Sequence, residues 1–147
     1  MAVSAKVYSS MPLNAIKGLI TDLNAAGTTV KVMLTTSTYT PDQETHTSKA
    51  DVTNEVTGEG YAAGGAALAS KAVAEATRVT KFDALDTEWA ASTITARRAV
   101  IYDATPAADA DKKLLCWVDF GEDKSSVAGS FKITWAAGGI LNITVAA

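Results

Sequence analysis

The side chains most capable of chemistry are the single histidine and the single cysteine of the chain. His46 lies in a polar segment that also carries three carboxylates, Asp42, Glu44 and Asp51. Such a group could hold a metal ion or transfer a proton, but one imidazole with loosely spaced carboxylates matches no metal-binding motif. We therefore expect a solvated loop histidine. Cys116 alternates with apolar residues, which predicts a buried, unreactive thiol rather than a nucleophile paired with His46.

A second group of carboxylates precedes Trp89 and consists of Asp83, Asp86 and Glu88. Two carboxylates beside an aromatic ring are typical of sugar hydrolysis, and with Asp119 and Glu122 the group could bind calcium. The chain has no calcium-loop sequence, and closeness in sequence does not set the carboxyl separation that hydrolysis needs. We therefore expect a solvated turn here, and we predict no catalytic residue, no metal site and no cofactor.

Two adjacent arginines, Arg97 and Arg98, interrupt the strongest predicted strand. Successive side chains of a strand point to opposite faces, so without a bulge one arginine shares the apolar face. By this count Arg98 lies on the same face as Ile94, Ala96, Val100 and Tyr102. A buried arginine needs a carboxylate or carbonyl partner, and Asp119 is the candidate because it also interrupts an apolar run. The alternative is a partly exposed face with the Arg98 head in water, and at a subunit interface Arg98 would be an anchor.

Composition restricts the function classes further. The chain has 147 residues, of which 48% are hydrophobic and 20% charged, and this is typical of a folded domain rather than a disordered chain. The net charge is −3, whereas proteins that bind nucleic-acid phosphates usually present a basic surface, so we expect no direct nucleic-acid partner. One histidine and one cysteine exclude a multi-histidine metal site and an intrachain disulfide. We therefore predict that the protein is not an enzyme.

The chain shows no sign of targeting or of a membrane span. Residues 1–11 carry no apolar run of signal-peptide length, and no stretch approaches the roughly 18 apolar residues that a membrane helix needs. We therefore expect a soluble protein that is made in the cytoplasm and has no membrane partner. No shift in composition divides the chain, so we predict a single domain over residues 1–147.

An amphipathic helix is predicted over residues 10–24. Apolar residues recur on one face at three- and four-residue spacing, namely Leu13, Ile16, Leu19, Ile20 and Leu23. Ser10 suits the N-cap, Pro12 the first turn and Gly27 the stop. Because an isolated helix of this length is marginal in water, we expect the stripe to pack against the protein's own sheet or a neighbouring subunit.

After Gly27 the hydrophobic period changes to two, which predicts β-structure over residues 28–146. The predicted strands lie at residues 29–36, 68–73, 79–85, 93–102, 114–120, 131–135 and 140–145, with a short helix after Pro41. No helix of crossover length separates them, which argues against a parallel sheet. The expected fold is mainly β, an antiparallel and jelly-roll-like β-sandwich with one N-terminal amphipathic helix.

Five segments carry a resemblance to a known group of proteins. They are residues 31–43 (KVMLTTSTYTPDQ), 54–65 (NEVTGEGYAAGG), 92–97 (STITAR), 118–121 (VDFG) and 131–135 (FKITW). In this order they resemble small structural proteins of tailed bacteriophages, over roughly residues 28–145. The resemblance implies a virion component without enzymatic activity. Small β-domain proteins of this kind commonly decorate or cement capsids, often as trimers.

We therefore expect a decoration protein on the capsid surface of the virion, which binds the major capsid protein, stabilises the shell and forms a homo-oligomer such as a trimer. The alternatives are a head-fibre, neck or tail component, or a receptor- or carbohydrate-binding module. A carbohydrate-binding module would use Tyr39, Tyr61 or Trp89 in exposed loops as stacking platforms. The predicted interface residues are Leu13, Ile16, Leu19, Ile20, Leu23 and Arg98.

Overall fold

A computed structural model describes residues 2–147 of the chain. The elements in chain order are β1 (Ser4–Val7), α1 (Ser10–Ile16), β2 (Val30–Thr35), a 3-10 turn (Lys49–Asp51), β3 (Ala66–Ala67), β4 (Ala72–Ala76), β5 (Val79–Asp83), β6 (Thr87–Asp103), β7 (Leu114–Ile133) and β8 (Leu141–Thr144).

The strands form two antiparallel sheets. The larger sheet has the order β1-β7-β6-β2-β3, and the smaller sheet has the order β4-β5-β8. Side chains from both sheets meet in one apolar cluster, so the arrangement is sandwich-like. The predicted mainly β class with antiparallel sheets and one N-terminal helix is confirmed, while the jelly-roll arrangement stays a prediction.

The larger sheet buries apolar side chains on both faces. On β2, Val30, Val32 and Leu34 point into the cluster shared with the smaller sheet, called the inner core here. Met33 points the opposite way, into a second cluster called the outer core. The members of the outer core are Tyr8, Met33, Tyr39, Val100, Tyr102, Leu114 and Trp117. The alternation on β2 thus serves two cores, because each face of this central strand is covered.

β6 and β7 form a hairpin that extends past the rest of the larger sheet. β2 pairs only with residues 98–103 of β6, and β1 pairs only with residues 116–119 of β7. Beyond them, residues 87–96 pair with residues 124–133 as a ribbon, which has several register shifts. The predicted strands at residues 114–120 and 131–135 are therefore parts of one strand. Irregular positions, including Gly121 and Ala128 with positive φ, interrupt the two-residue period. For this reason the sequence pattern predicted two short strands instead of one long strand.

The helix is shorter than predicted. α1 begins at Ser10 but ends at Ile16, and Gly18 follows with the left-handed φ of +68° that commonly ends a helix. The predicted end at residue 24 is therefore wrong, because residues 17–24 form turns and irregular chain. The glycine inside the apolar period was the signal for this early end.

Other predicted elements are displaced. The strand predicted at residues 68–73 overlaps β4 only at its last two residues, and β3 ends just before it. The helix predicted after Pro41 is a turn followed by the 3-10 turn at Lys49–Asp51. β1 was not predicted. Its four residues are too few to show a period, and none of them is fully buried.

A glycine allows the chain after the 3-10 turn to lie directly against β2. Gly65 has a φ of +77°, and a Cβ atom there would collide with the carbonyl oxygen of Val32. Only glycine fits both the backbone conformation and the close approach. This contact brings β3 beside β2 and completes the larger sheet.

Candidate functional site

Arg97 and Arg98 share one carboxylate. Arg97 Nε lies 2.7 Å from Asp119 Oδ1, and Arg98 Nε lies 2.9 Å from Asp119 Oδ2. Arg98 also donates to the carbonyl oxygens of Tyr39 and Ser37. The predicted Arg98–Asp119 partnership is confirmed, and all three charged side chains are largely buried. Arg98 therefore fastens the loop before Pro41 to the sheet.

The face predicted for Arg98 is half right: Arg98 lies on the side of Val100 and Tyr102, but not on that of Ile94 and Ala96. Ile94 and Ala96 belong to the inner core, whereas Val100 and Tyr102 belong to the outer core. The register shift between Ala96 and Arg98 reverses the alternation of β6. The same irregularity lets two successive arginines reach one aspartate.

The environment of Asp119 favours its charged form. Burial alone would raise its pKa, but the hydrogen bonds from Arg97 and from the Gly121 amide, with the charges of both arginines, hold the pKa of Asp119 below its usual range. The carboxylate is therefore engaged in a structural contact and does not join the other acidic residues in a calcium site.

Cys116 is buried in the inner core, as predicted. Its nearest polar partner is the carbonyl oxygen of Ile140, at 3.9 Å from the sulfur. Burial raises the pKa of the Cys116 thiol to about 12, which keeps it protonated at neutral pH.

His46 is half-buried and packed, so the prediction of a solvated histidine is wrong. Its ring stacks on Tyr39 with centroids 5.7 Å apart. The Nδ1 atom accepts the amide N–H of Asp42 at 3.2 Å and lies 3.0 Å from the Tyr39 hydroxyl, which in turn lies 3.1 Å from the Tyr8 hydroxyl. Nδ1 must be unprotonated to accept the amide, so Tyr39 donates to it and Tyr8 donates to Tyr39. This chain of hydrogen bonds ties the loop to the outer core.

The acidic residues near Trp89 do not converge. Asp83 pairs with Lys81 at 3.2 Å, and Asp86 pairs with Lys132 at 3.1 Å. Glu88 accepts a hydrogen bond from Ser130 at 2.6 Å. Within residues 2–147 no group of three or more potential ligands could hold a metal ion.

The aromatic residues proposed as sugar platforms are not exposed. Tyr39 and Trp89 are buried, and Tyr61 stacks on Trp89 with centroids 5.9 Å apart. The Tyr61 hydroxyl donates to Glu55 and accepts the Leu34 amide, each at 2.9 Å. The prediction of exposed stacking platforms is therefore wrong, because these rings pack within the fold.

The predicted interface stripe divides into two parts because the helix is short. Ile20 and Leu23 lie past the helix and pack against the inner core. Leu13, Ile16 and Leu19 remain in solvent, with 53%, 86% and 47% of their surface exposed. We call these three residues the α1 patch. Arg98, the sixth predicted interface residue, is occupied by its contacts with Asp119 and the loop.

An apolar groove lies beside β1, and like β1 it was not predicted from the sequence. It encloses about 530 Å³ between the end of the larger sheet and the segment that leads into β8. Its floor and walls include the apolar residues Val3, Ala5, Val118, Phe120, Phe131, Ile133, Trp135 and Ile140. Among the residues 2–147 that line it, Lys124 and Lys132 are the only charged ones. We call it the β1–β7 groove.

The chain matches no protein-family model, no curated protein and no solved structure. Among the described residues no helix has the length and apolar character needed to cross a membrane.

Proposed function

We propose that the protein is a non-enzymatic structural component of a tailed-bacteriophage virion, a decoration or cement protein that binds the major capsid protein and stabilises the shell. It is made in the host cytoplasm, acts at the capsid surface as a homo-oligomer such as a trimer, and needs no cofactor, nucleic acid or membrane.

The observation that carries the proposal is the α1 patch. Three large apolar side chains project from one short helix and the turn after it into solvent, and Ile16 is the most exposed of them. We take this group of exposed apolar side chains as the surface that contacts another protein. The order of the five phage-like segments, which the sequence resemblance rests on, supports a virion as the setting.

The chemically capable side chains support the same class of function. Asp119 holds two arginines, His46 accepts hydrogen bonds that fasten a loop, and Cys116 is buried with a raised pKa. Each of these groups serves the fold.

An oligomer can stabilise a shell because it makes several weak contacts with it at the same time. A small apolar contact binds weakly, but an oligomer that reaches several capsid subunits binds through several such contacts at once. A ligand that binds only the assembled shell raises the apparent stability of that shell by mass action.

The test compares phage heads that lack the protein with heads to which purified protein is added. We expect the added protein to raise the temperature and the osmotic shock at which heads release DNA. Ile16→Glu is expected to weaken head binding, because it places a charge in the patch. Val127→Glu is the matched control, since Val127 is also exposed (82%) but lies on the ribbon away from α1.

Copy number, measured by quantitative mass spectrometry of the virion, separates the structural alternatives. Hundreds of copies are expected of a decoration protein. About a dozen copies per virion, without stabilisation of heads, would contradict decoration and favour a neck, tail or head-fibre component, whose copy number follows the low-order closed symmetry of one ring.

A further inference from the structure

We propose that the chain self-associates head to tail, with β4 of one copy seated in the β1–β7 groove of the next copy. The inference rests on the self-association included in the proposed function and does not depend on capsid binding. Its occupant is a second copy of this chain, and three properties of the two surfaces support it.

The groove lies beside an unpaired strand edge. β1 pairs with residues 116–119 of β7, and no other strand within residues 2–147 pairs with β7 on that side. The remainder of that edge therefore has backbone groups available next to an apolar groove. An extended strand is the ligand that such an edge accepts, because it adds main-chain hydrogen bonds and places alternate side chains in the groove.

β4 is an extended strand that needs a partner. All five residues of Ala72–Ala76 are exposed, and β4 is the outermost strand of the smaller sheet. Among the described residues its outer edge makes one hydrogen bond, in which the Val73 amide donates to the Asn24 side chain at 3.3 Å. Proteins usually protect an apolar edge strand with several charges, with proline or with a covering segment. β4 has a single charged residue, Glu75.

The charges of the two surfaces are complementary. Lys124 and Lys132 are the charged residues of the groove, and Glu75 is that of β4. Each lysine is half-exposed and pairs with a carboxylate outside the groove lining, Lys124 with Glu122 and Lys132 with Asp86. Surface ion pairs of this kind contribute little to stability, so either lysine can exchange its carboxylate partner for Glu75 of a second copy. The two lysines therefore give the groove a positive lining that attracts Glu75.

The two surfaces of one copy do not meet each other. In the smaller sheet β5 lies between β4 and the segment at residues 134–140, which forms one wall of the groove and whose Ile140 amide donates to the Phe82 carbonyl of β5. The contact therefore joins different surfaces of neighbouring copies. Such a heterologous contact closes into a ring when the rotation between copies permits, and a three-membered ring requires a contact of this type.

Sedimentation equilibrium of the purified chain tests the proposal without capsids. We expect the wild-type chain to form oligomers. Val3→Glu adds a negative charge to the exposed rim of the groove, and Glu75→Lys reverses the charge of β4. Each variant is expected to weaken association at least about tenfold. Val127→Glu and Glu44→Lys make the same changes at exposed positions outside both surfaces, and they are expected to leave association unchanged.

Mixing the two variants tests the head-to-tail arrangement. The Val3→Glu chain keeps an intact β4, and the Glu75→Lys chain keeps an intact groove. An equimolar mixture is therefore expected to associate although each variant alone does not. Near-ultraviolet circular dichroism of each variant verifies that it is folded.

Three results would overturn the inference. The first is a wild-type chain that stays monomeric up to about 1 mM, which corresponds to very weak affinity. The second is that the variants associate as their controls do. The third is that the mixture of the two variants fails to associate. If a monomeric wild-type chain binds heads and Val3→Glu abolishes that binding, the groove takes a capsid segment instead of a second copy. In that case the proposed binding to the capsid still stands, and only the homo-oligomer included in the proposed function is contradicted.

Discussion

Asp119 binds two neighbouring arginines, one through each carboxylate oxygen. Removing one partner of a largely buried ion pair leaves the others desolvated and uncompensated. Here one substitution leaves two guanidinium groups in that state. The side chain therefore matters more for stability than the surface pairs of Lys124 or Lys132, whose partners are in contact with water.

We expect Asp119→Asn to lower the free energy of unfolding by about 3 kcal/mol at pH 7, measured by urea denaturation. The pKa of Asp119 is lower in the folded than in the unfolded chain, where it is about 3.9. The ionised carboxylate therefore contributes to folding stability above about pH 3.9, and this contribution is lost as the pH falls through the lower folded pKa. The variant should therefore lose less stability than the wild type below about pH 4. Asp123→Asn, an exposed position on the same strand, is the control, and an equal effect there would contradict this role.

Cys116 provides a second test at this scale. Because burial raises its pKa to about 12, the native protein should react with a thiol reagent far more slowly than the protein in urea. Cys116→Ser should lower the free energy of unfolding by about 1–2 kcal/mol, since it buries a hydroxyl in an apolar site. Oligomerisation and head binding should not change. Rapid labelling of the folded chain at neutral pH would show that the thiol is accessible.

The turn between β4 and β5 has a strained backbone. Ala76 pairs with Val79, so the loop has two residues, Thr77 and Arg78, and both have positive φ values, 52° and 65°. This is the backbone of a type I′ turn, which favours Asn-Gly. Thr77 is β-branched, and such residues are strained at positive φ.

Replacing the turn with Thr77→Asn and Arg78→Gly together should raise the free energy of unfolding by about 1 kcal/mol, because both residues then accept positive φ with little strain. Urea denaturation at low protein concentration measures this without a contribution from self-association. Thr77→Val keeps the β-branch and serves as the control, which should give no gain. A double variant that is no more stable than Thr77→Val would argue against strain in this turn.

Elements with a regular period were predicted well from the sequence. The alternation of Val30, Val32 and Leu34 located β2, and the apolar run with Arg98 located the second half of β6. Asp119 could be named as the partner of Arg98 because both residues interrupt apolar strands. The period failed where the backbone leaves regular geometry, as at Gly18 in the helix and between Ala96 and Arg98 on β6.

Surfaces of the whole molecule were harder to predict, because they are formed by segments distant in sequence. The β1–β7 groove combines Val3 with Phe120 and Trp135, and no local pattern connects these residues. The α1 patch was only half predicted. The stripe itself was found, but the end of the helix decides which of its members reach the core, as Leu23 does, and which remain exposed, as Ile16 does.

The pairing of β1 has a consequence for the order in which the chain can fold. Ser4 pairs with Asp119, so β1 cannot pair until the chain has been synthesised as far as β7. Contacts between such distant parts of a sequence form slowly, because a long loop must close first. Until β7 is complete, β1 has no place in the larger sheet, and α1, which follows it, has only part of its packing surface. We therefore expect β1 and α1 to acquire their native structure only after β7 has been synthesised.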